Sequence, residues 1–232
     1  MPSVIAHPQL PKVQNMVLQH LAVHDCTALL AQAELVELDF SEQLCDIDDV
    51  YQHVYFPLSA FVSLIAKLPG HPPLEMGLIG FDGMLGVTLL LQTRIVPSEA
   101  VVQGAGLAWR LDVATFEMAL GKYPSLAPAL QQYLFVLLRQ LMSNATCTHF
   151  HPIEARLARW LLMSHDRVQG DELYLTHQFL ADMLGVRRSG VTVAAGVLQD
   201  CGIIEYRRGW LTILDRPALL ARSCRCYQKV AL

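Results

Sequence analysis

The 232-residue sequence predicts an α+β chain with short antiparallel strands in its first half, one long helix after them, and a helix-turn-helix running into a two-stranded wing. Three observations carry that reading. Short apolar runs broken by Pro, Gly and Asp-Gly fill the stretch from Glu34 to Leu111, as in a barrel or sandwich. From Leu126 to Thr148 apolar residues step by three or four, the rhythm of a helix. From Thr176 to Gly209 two helical patterns meet at Gly185 and lead into two β-type runs around Arg207-Arg208-Gly209. The expected domains are 1–124, 125–149 and 150–232.

Leu10 to Gln32 reads as one amphipathic helix. At Glu34 the period drops to two, Val36, Leu38 and Phe40 alternating with Glu37 and Asp39, which describes a half-buried strand. Further strands are expected at Val54–Phe56, Phe61–Ala66, Leu74–Ile79, Ala100–Gln103 and Ala108–Leu111. Asp112 is a good N-cap for a short helix that stops at Gly121 and Pro124. In the long helix, Leu126, Leu130, Tyr133, Leu137, Leu141 and Asn144 form a stripe close to a coiled-coil seam. Leu134 and Leu138 widen it, so burial on two sides is expected, against the chain's own domain and against a second copy. His149-Phe150-His151-Pro152 breaks the helix as a hinge. A helix over Glu154–Ser164 is expected to bury Ile153, Leu157, Trp160 and Leu161 and to expose Arg156 and Arg159.

The C-terminal pattern has a mechanical reading. The Thr176 hydroxyl suits a helix N-cap, Phe179, Leu180, Met183 and Leu184 recur at helical spacing, and Gly185 stands where a left-handed C-cap costs least. Val191, Ala194, Ala195 and Leu198 make the buried stripe of the second helix. Arg188, Ser189, Thr192 and Val193 then face away from the core as candidates for reading base edges. Duplex DNA is the expected partner, and a homodimer the expected form, because two half-sites one turn apart need two recognition helices about 34 Å apart.

Composition supports this and excludes other classes. Residues 150–232 hold eleven Lys/Arg against eight Asp/Glu, and residues 1–149 hold six against thirteen. A cationic end suits phosphate contacts, while an acidic remainder is repelled by the duplex. With 53% hydrophobic and 16% charged residues the chain is globular. No run approaches the roughly 18 apolar residues of a membrane span, and the opening Met-Pro-Ser-Val-Ile-Ala-His-Pro lacks the pattern of a secretory signal. A cytoplasmic protein with no membrane partner is expected. The cysteines at 26, 45, 147, 201, 224 and 226 include no Cys-x-x-Cys and no four-ligand spacing. Reduced thiols are expected, with Cys224-x-Cys226 an incidental pair and no metal at His149-x-His151. Asp46-x-Asp48-Asp49 lacks the Gly and Glu of a calcium loop. The absence of His-Glu-x-x-His, Gly-x-Ser-x-Gly and P-loop motifs argues against an enzyme.

The order of these parts resembles the Crp/Fnr superfamily of bacterial transcription regulators, over nearly the whole chain. Its most specific parts are Leu175-Thr176-x-x-x-Leu180-Ala181-x-x-Leu184-Gly185, with Arg188 and Val191 following, and Gly80-x-x-Gly83-x-x-Gly86. The resemblance implies an N-terminal antiparallel β-roll (a double-stranded β-helix of the cyclic-nucleotide-binding kind), a long dimerisation helix and a C-terminal winged helix-turn-helix. It also implies control by an effector, a palindromic operator, and RNA polymerase as a further partner.

By the same resemblance, His177, Gln178, Arg187, Arg207 and Arg208 would hold phosphates, which positions a protein without specifying sequence. The chain departs from the family where cyclic nucleotide would sit. Gly86 and Val87 replace the Gly-Glu that binds ribose, and Ser98-Glu99 replaces the Arg-Ser/Thr that binds phosphate. Cyclic AMP is therefore not expected, since a buried phosphate without a cation is strongly disfavoured. The cluster-ligating N-terminal cysteines of the oxygen sensors are missing too, so no cofactor is expected. Two alternatives stay open: a regulator with no ligand, and an enzyme on a cupin-like β-roll with an accessory helical domain. An unidentified small-molecule effector separates the first alternative from the principal reading.

Overall fold

The computed structural model describes residues 3–4, 15–168 and 171–227. Their elements, in order, are β1 (Ser3–Val4), α1 (Met16–Gln19), α2 (Val23–Leu30), β2 (Glu34–Leu38), β3 (Gln43–Cys45), β4 (His53–Pro57), β5 (Phe61–Ala66) and β6 (Leu74–Ile79). A 3-10 turn (Val87–Leu91) leads to β7 (Glu99–Gly104), β8 (Gly106–Asp112), α3 (Val113–Lys122), α4 (Leu126–Phe150) and α5 (Ile153–His165). The chain ends in β9 (Glu172–Tyr174), α6 (His177–Leu184), α7 (Arg188–Asp200), β10 (Ile204–Arg207), β11 (Trp210–Ile213) and α8 (Arg216–Arg222). They fall into two compact units, 1–64 with 79–139, and 65–78 with 140–231.

The first unit holds the four-stranded sheet β1-β2-β8-β4 together with β3, β7 and the first four residues of β5. Antiparallel registers put Leu35 opposite Trp109, Val36 opposite Ala108 and Val54 opposite Leu111. Alternation along β2 sends Val36 and Leu38 inward with Glu37 outward. Phe56 of β4, Phe61 of β5 and Phe116 of α3 are fully buried, and the rings of Phe56 and Phe116 sit 6.4 Å apart. Asp112 caps α3 by accepting from the Thr115 amide at 2.9 Å, and the Thr115 side chain, then this amide, hold its carboxyl below the usual range. Strands β5 and β6 match the expected spans, whereas β3 was hidden by its short, half-buried sequence.

The helix expected over Leu10–Gln32 is two helices, and residues 10–14 lie outside the described ones. Asn15 is wholly buried and caps α1 through Oδ1, while its Nδ2 donates to the carbonyls of Pro57 (2.9 Å) and Gly83 (2.8 Å). The chain then turns extended at Ala22, whose amide donates to Ser125 Oγ at 3.0 Å. That tertiary bond competes with continued helix and breaks it. Asn15→Ala should lower stability by about 2–3 kcal/mol, because it leaves two buried carbonyls and a helix start unsatisfied. Urea unfolding measures this, and a change below about 0.5 kcal/mol would show the side chain to be idle.

Asp25 of α2 accepts from both the amide (3.1 Å) and hydroxyl (2.6 Å) of Ser125, at the start of α4. The hydroxyl bond, then the amide bond, hold its carboxyl below the usual range, and a carboxylate there also suits the helix dipole. Gly83 leaves room for Tyr133, whose phenol ring would clash with any Cβ at that position.

The second unit explains why the division does not follow the linear domain boundaries. Gln140 of α4 bridges the Leu78 backbone, accepting from its amide at 2.7 Å and donating to its carbonyl at 3.2 Å. Asn144 donates to the Met76 carbonyl. Trp160 Nε1 donates to Glu75 at 3.0 Å and its ring meets Phe179 edge-on at 6.0 Å. The 65–78 hairpin thus belongs with the C-terminal helices.

Candidate nucleic-acid interface

Thr176 caps α6 by accepting from the Phe179 amide at 3.1 Å. Gly185 takes the left-handed conformation at its end (φ 61°, ψ 40°), and a Cβ there would also crowd Leu74 at 2.9 Å. After this turn α7 buries Val191, Ala194, Ala195 and Leu198, the four residues its spacing predicts. The opposite face leaves Arg188, Ser189, Thr192 and Val193 exposed, Val193 by 69%. Arg187, at the N-cap, is exposed beside them.

The wing is a tight hairpin. Arg207 pairs with Trp210, so Arg208 and Gly209 form a two-residue loop, both with positive φ (50° and 90°). That combination belongs to the turn whose twist matches the strands. The Arg208 side chain is exposed at the tip, while Arg207 pairs with Glu205 at 3.1 Å across solvent. Strand β9 completes a three-stranded sheet of order β10-β11-β9.

His177 and Thr192 turn toward each other. His177 Nδ1 lies 3.0 Å from Thr192 Oγ1, which itself donates to the Arg188 carbonyl at 3.1 Å. The imidazole also packs 4.5 Å from the Tyr206 ring, and the Tyr206 hydroxyl donates to the Leu175 carbonyl. Burial, then the Arg188 guanidinium, hold the His177 pKa below its ordinary value. The packed imidazole ties the two motif helices and the wing together. Gln178 is exposed and donates to Asp182 at 2.9 Å.

On α4 the expected seam divides. Leu126, Leu130, Tyr133, Leu137 and Asn144 are buried within the chain, and Leu141 is half-buried. The exposed large apolar residues are Phe135 (61%), Leu138 (46%) and Met142 (67%), spaced three and four apart, and Phe150 (72%) at the helix end. The inward stripe is the more hydrophobic one, so sequence periodicity selects it first. Arg156 and Arg159 of α5, expected in solvent, are buried. Arg156 donates to the Leu184 carbonyl at the end of α6, where a helix dipole favours a cation.

Gly86 and Val87 open the 3-10 turn of the first unit, and Glu99 opens β7 as a buried carboxylate beside half-buried Ser98. In the second unit four ligand-type atoms converge, those of Cys147, His151, Cys224 and Cys226, all within 4.8 Å of one another. Cys147 Sγ and Cys224 Sγ are hydrogen-bonded across 3.4 Å, which lowers the pKa of Cys224 and, together with burial, raises that of Cys147.

Family comparison matches residues 155–222 to the Crp-like helix-turn-helix domain. The matched segment contains every exposed residue of α7 and the wing described above. Comparison with curated proteins finds no match.

Among solved structures, FixK2 from Bradyrhizobium japonicum is similar at 17% identity and TM-score 0.69, covering 83% of this chain and 98% of its own. TTHB099, a CRP-family transcriptional regulator from Thermus thermophilus, gives 16% identity and TM-score 0.69 over the same shares. The c-di-GMP responsive regulator CLP of Xanthomonas campestris gives 18% and 0.61, over 83% and 99%. The chain thus shares the α+β fold of these solved structures, and its segment 155–222 is similar to the Crp-like helix-turn-helix domain. Among the described residues no helix is long and apolar enough to cross a membrane.

Proposed function

We propose that the protein is a cytoplasmic transcription regulator of the Crp/Fnr type that binds a palindromic operator as a homodimer and acts on RNA polymerase. The observation that carries this is the exposed α7 face, Arg188, Ser189, Thr192 and Val193, next to a wing that ends in Arg208. Arg188 offers a bidentate donor for guanine and Val193 an apolar contact for a thymine methyl. Arg187, Arg208, Arg207 and Gln178 hold phosphates, and His177 supports that surface from behind. The second copy docks along Phe135, Leu138 and Met142, with Leu141 at the edge. Fluorescence anisotropy with labelled duplex tests the reading: affinity should fall linearly on a log scale with added salt, as released counterions require. No binding to any duplex at low ionic strength would contradict it.

The effector of the β-roll, on this reading, is a small molecule other than a cyclic nucleotide. Its support is chemical: by the family resemblance, Ser98 and Glu99, the latter buried, would stand where a phosphate needs a cation. Calorimetric titration with cyclic AMP or cyclic GMP should give no binding at micromolar ligand. A micromolar dissociation constant for either would overturn this point.

A further inference from the structure

We propose that Cys147, His151, Cys224 and Cys226 bind one tetrahedral, thiophilic divalent cation of the zinc class. Cys147 sits in the last turn of α4 and His151 one turn beyond it, where the His151 amide donates to the Cys147 carbonyl at 3.1 Å. Both side chains therefore leave the same face of the helix. Cys224 and Cys226 follow α8 in a turn closed by the Tyr227 amide on the Cys224 carbonyl at 3.0 Å. Neither pair is a metal motif in the sequence; packing of the second unit makes one Cys3His set of them.

The distances select the kind of ion. Metal–sulfur bonds of about 2.3 Å and metal–nitrogen bonds of about 2.0–2.1 Å put neighbouring ligand atoms of a tetrahedral site about 3.6–3.8 Å apart. Here Cys147 Sγ and Cys224 Sγ are 3.4 Å apart, Cys226 Sγ and His151 Nδ1 3.7 Å, and no two of the four atoms are more than 4.8 Å apart. A cubane iron–sulfur cluster, with one ligand per iron, holds its ligands further apart than this. Three thiolates and an imidazole suit zinc and give the hard cations calcium and magnesium none of the oxygen ligands they need. The resulting site carries one net negative charge, and the buried Arg159 guanidinium interacts with all three sulfurs. Cys147 and Cys224 are buried while His151 and Cys226 are half-exposed, so the ion has a way in. Occupancy joins positions 77 residues apart and removes loop freedom from the unfolded chain.

Neither the site nor its test depends on DNA binding. The reduced full-length protein should carry about one zinc per chain by elemental analysis. After chelation, added Co2+ should give thiolate-to-metal charge transfer and the intense visible bands of a tetrahedral centre. Zinc should raise the melting temperature of the chelated protein by about 5 °C or more at a hundredfold excess over Kd. Cys224→Ser with Cys226→Ser should abolish the cobalt spectrum, whereas Cys201→Ser, exposed and outside the set, should retain it. The proposal is overturned if the reduced wild-type chain gives no tetrahedral cobalt spectrum, if the double variant keeps it, or if the purified protein carries an iron–sulfur chromophore instead. The wild-type titration decides the matter even where the double variant does not fold.

Discussion

Phe135→Glu together with Met142→Glu should convert the protein to a monomer of 25.8 kDa by light scattering, and operator affinity should fall by a factor on the order of 10³. Both side chains stand in solvent on α4 at 61% and 67% exposure, so carboxylates are tolerated in the isolated chain. In the proposed dimer the same positions face their symmetry mates, where four carboxylates would be desolvated and set against one another. The DNA effect follows from geometry, because two recognition helices on one body bind the second half-site at high effective concentration and separate monomers lose that advantage. Leu130→Ala supplies the contrast. That residue is wholly buried, so its truncation should cost about 2–5 kcal/mol of stability and leave the dimer intact at low temperature. If instead Leu130→Ala dissociates the protein and the double Glu variant stays dimeric, the seam is the inward stripe and the assignment is wrong.

Arg188→Ala should remove discrimination at one base position in each half-site, about 1–3 kcal/mol apiece and therefore about 2–6 kcal/mol for a symmetric operator when the two add. The exposed guanidinium at the start of α7 is the one planar, bidentate donor on the outward face. Affinity for random duplex should change far less. Arg208→Ala should do the reverse, weakening all sequences alike and flattening the salt slope by about one unit for each wing engaged. Competition binding with operators altered at single positions measures both. Equal, sequence-blind losses in the two variants would erase the proposed division between reading and holding.

Much of this architecture was legible because local rules and tertiary packing agree there. Thr176, Gly185 and the Val191-Ala194-Ala195-Leu198 stripe each follow from capping or helical period, and the structure uses each of them in that way. Strands β5 and β6 were bounded by Pro and Gly signals that no distant contact overrides. Where long-range bonds decide, spacing alone misleads. Ser125 splits one expected helix into two by taking the Ala22 amide, and Asn15 fixes the start of the first through bonds to Pro57 and Gly83. Arg156 is buried because a helix end 28 residues away presents its carbonyl, which periodicity does not encode. On α4 two apolar stripes compete, and the chain's own packing takes the stronger, leaving Phe135 and Met142 outside. The Cys3His set joins two innocuous pairs from opposite ends of a unit, so only the fold brings it together.

Selection of duplexes from a random library by the purified protein tests the account most directly, since it reads out DNA binding, symmetry and spacing at once. The expected product is a two-fold symmetric sequence with half-sites one helical turn apart, about 10–10.5 base pairs from centre to centre, and a guanine in each half-site whose preference vanishes with Arg188→Ala. Recovery of no enriched sequence, or of a single asymmetric half-site bound by one chain, would contradict it.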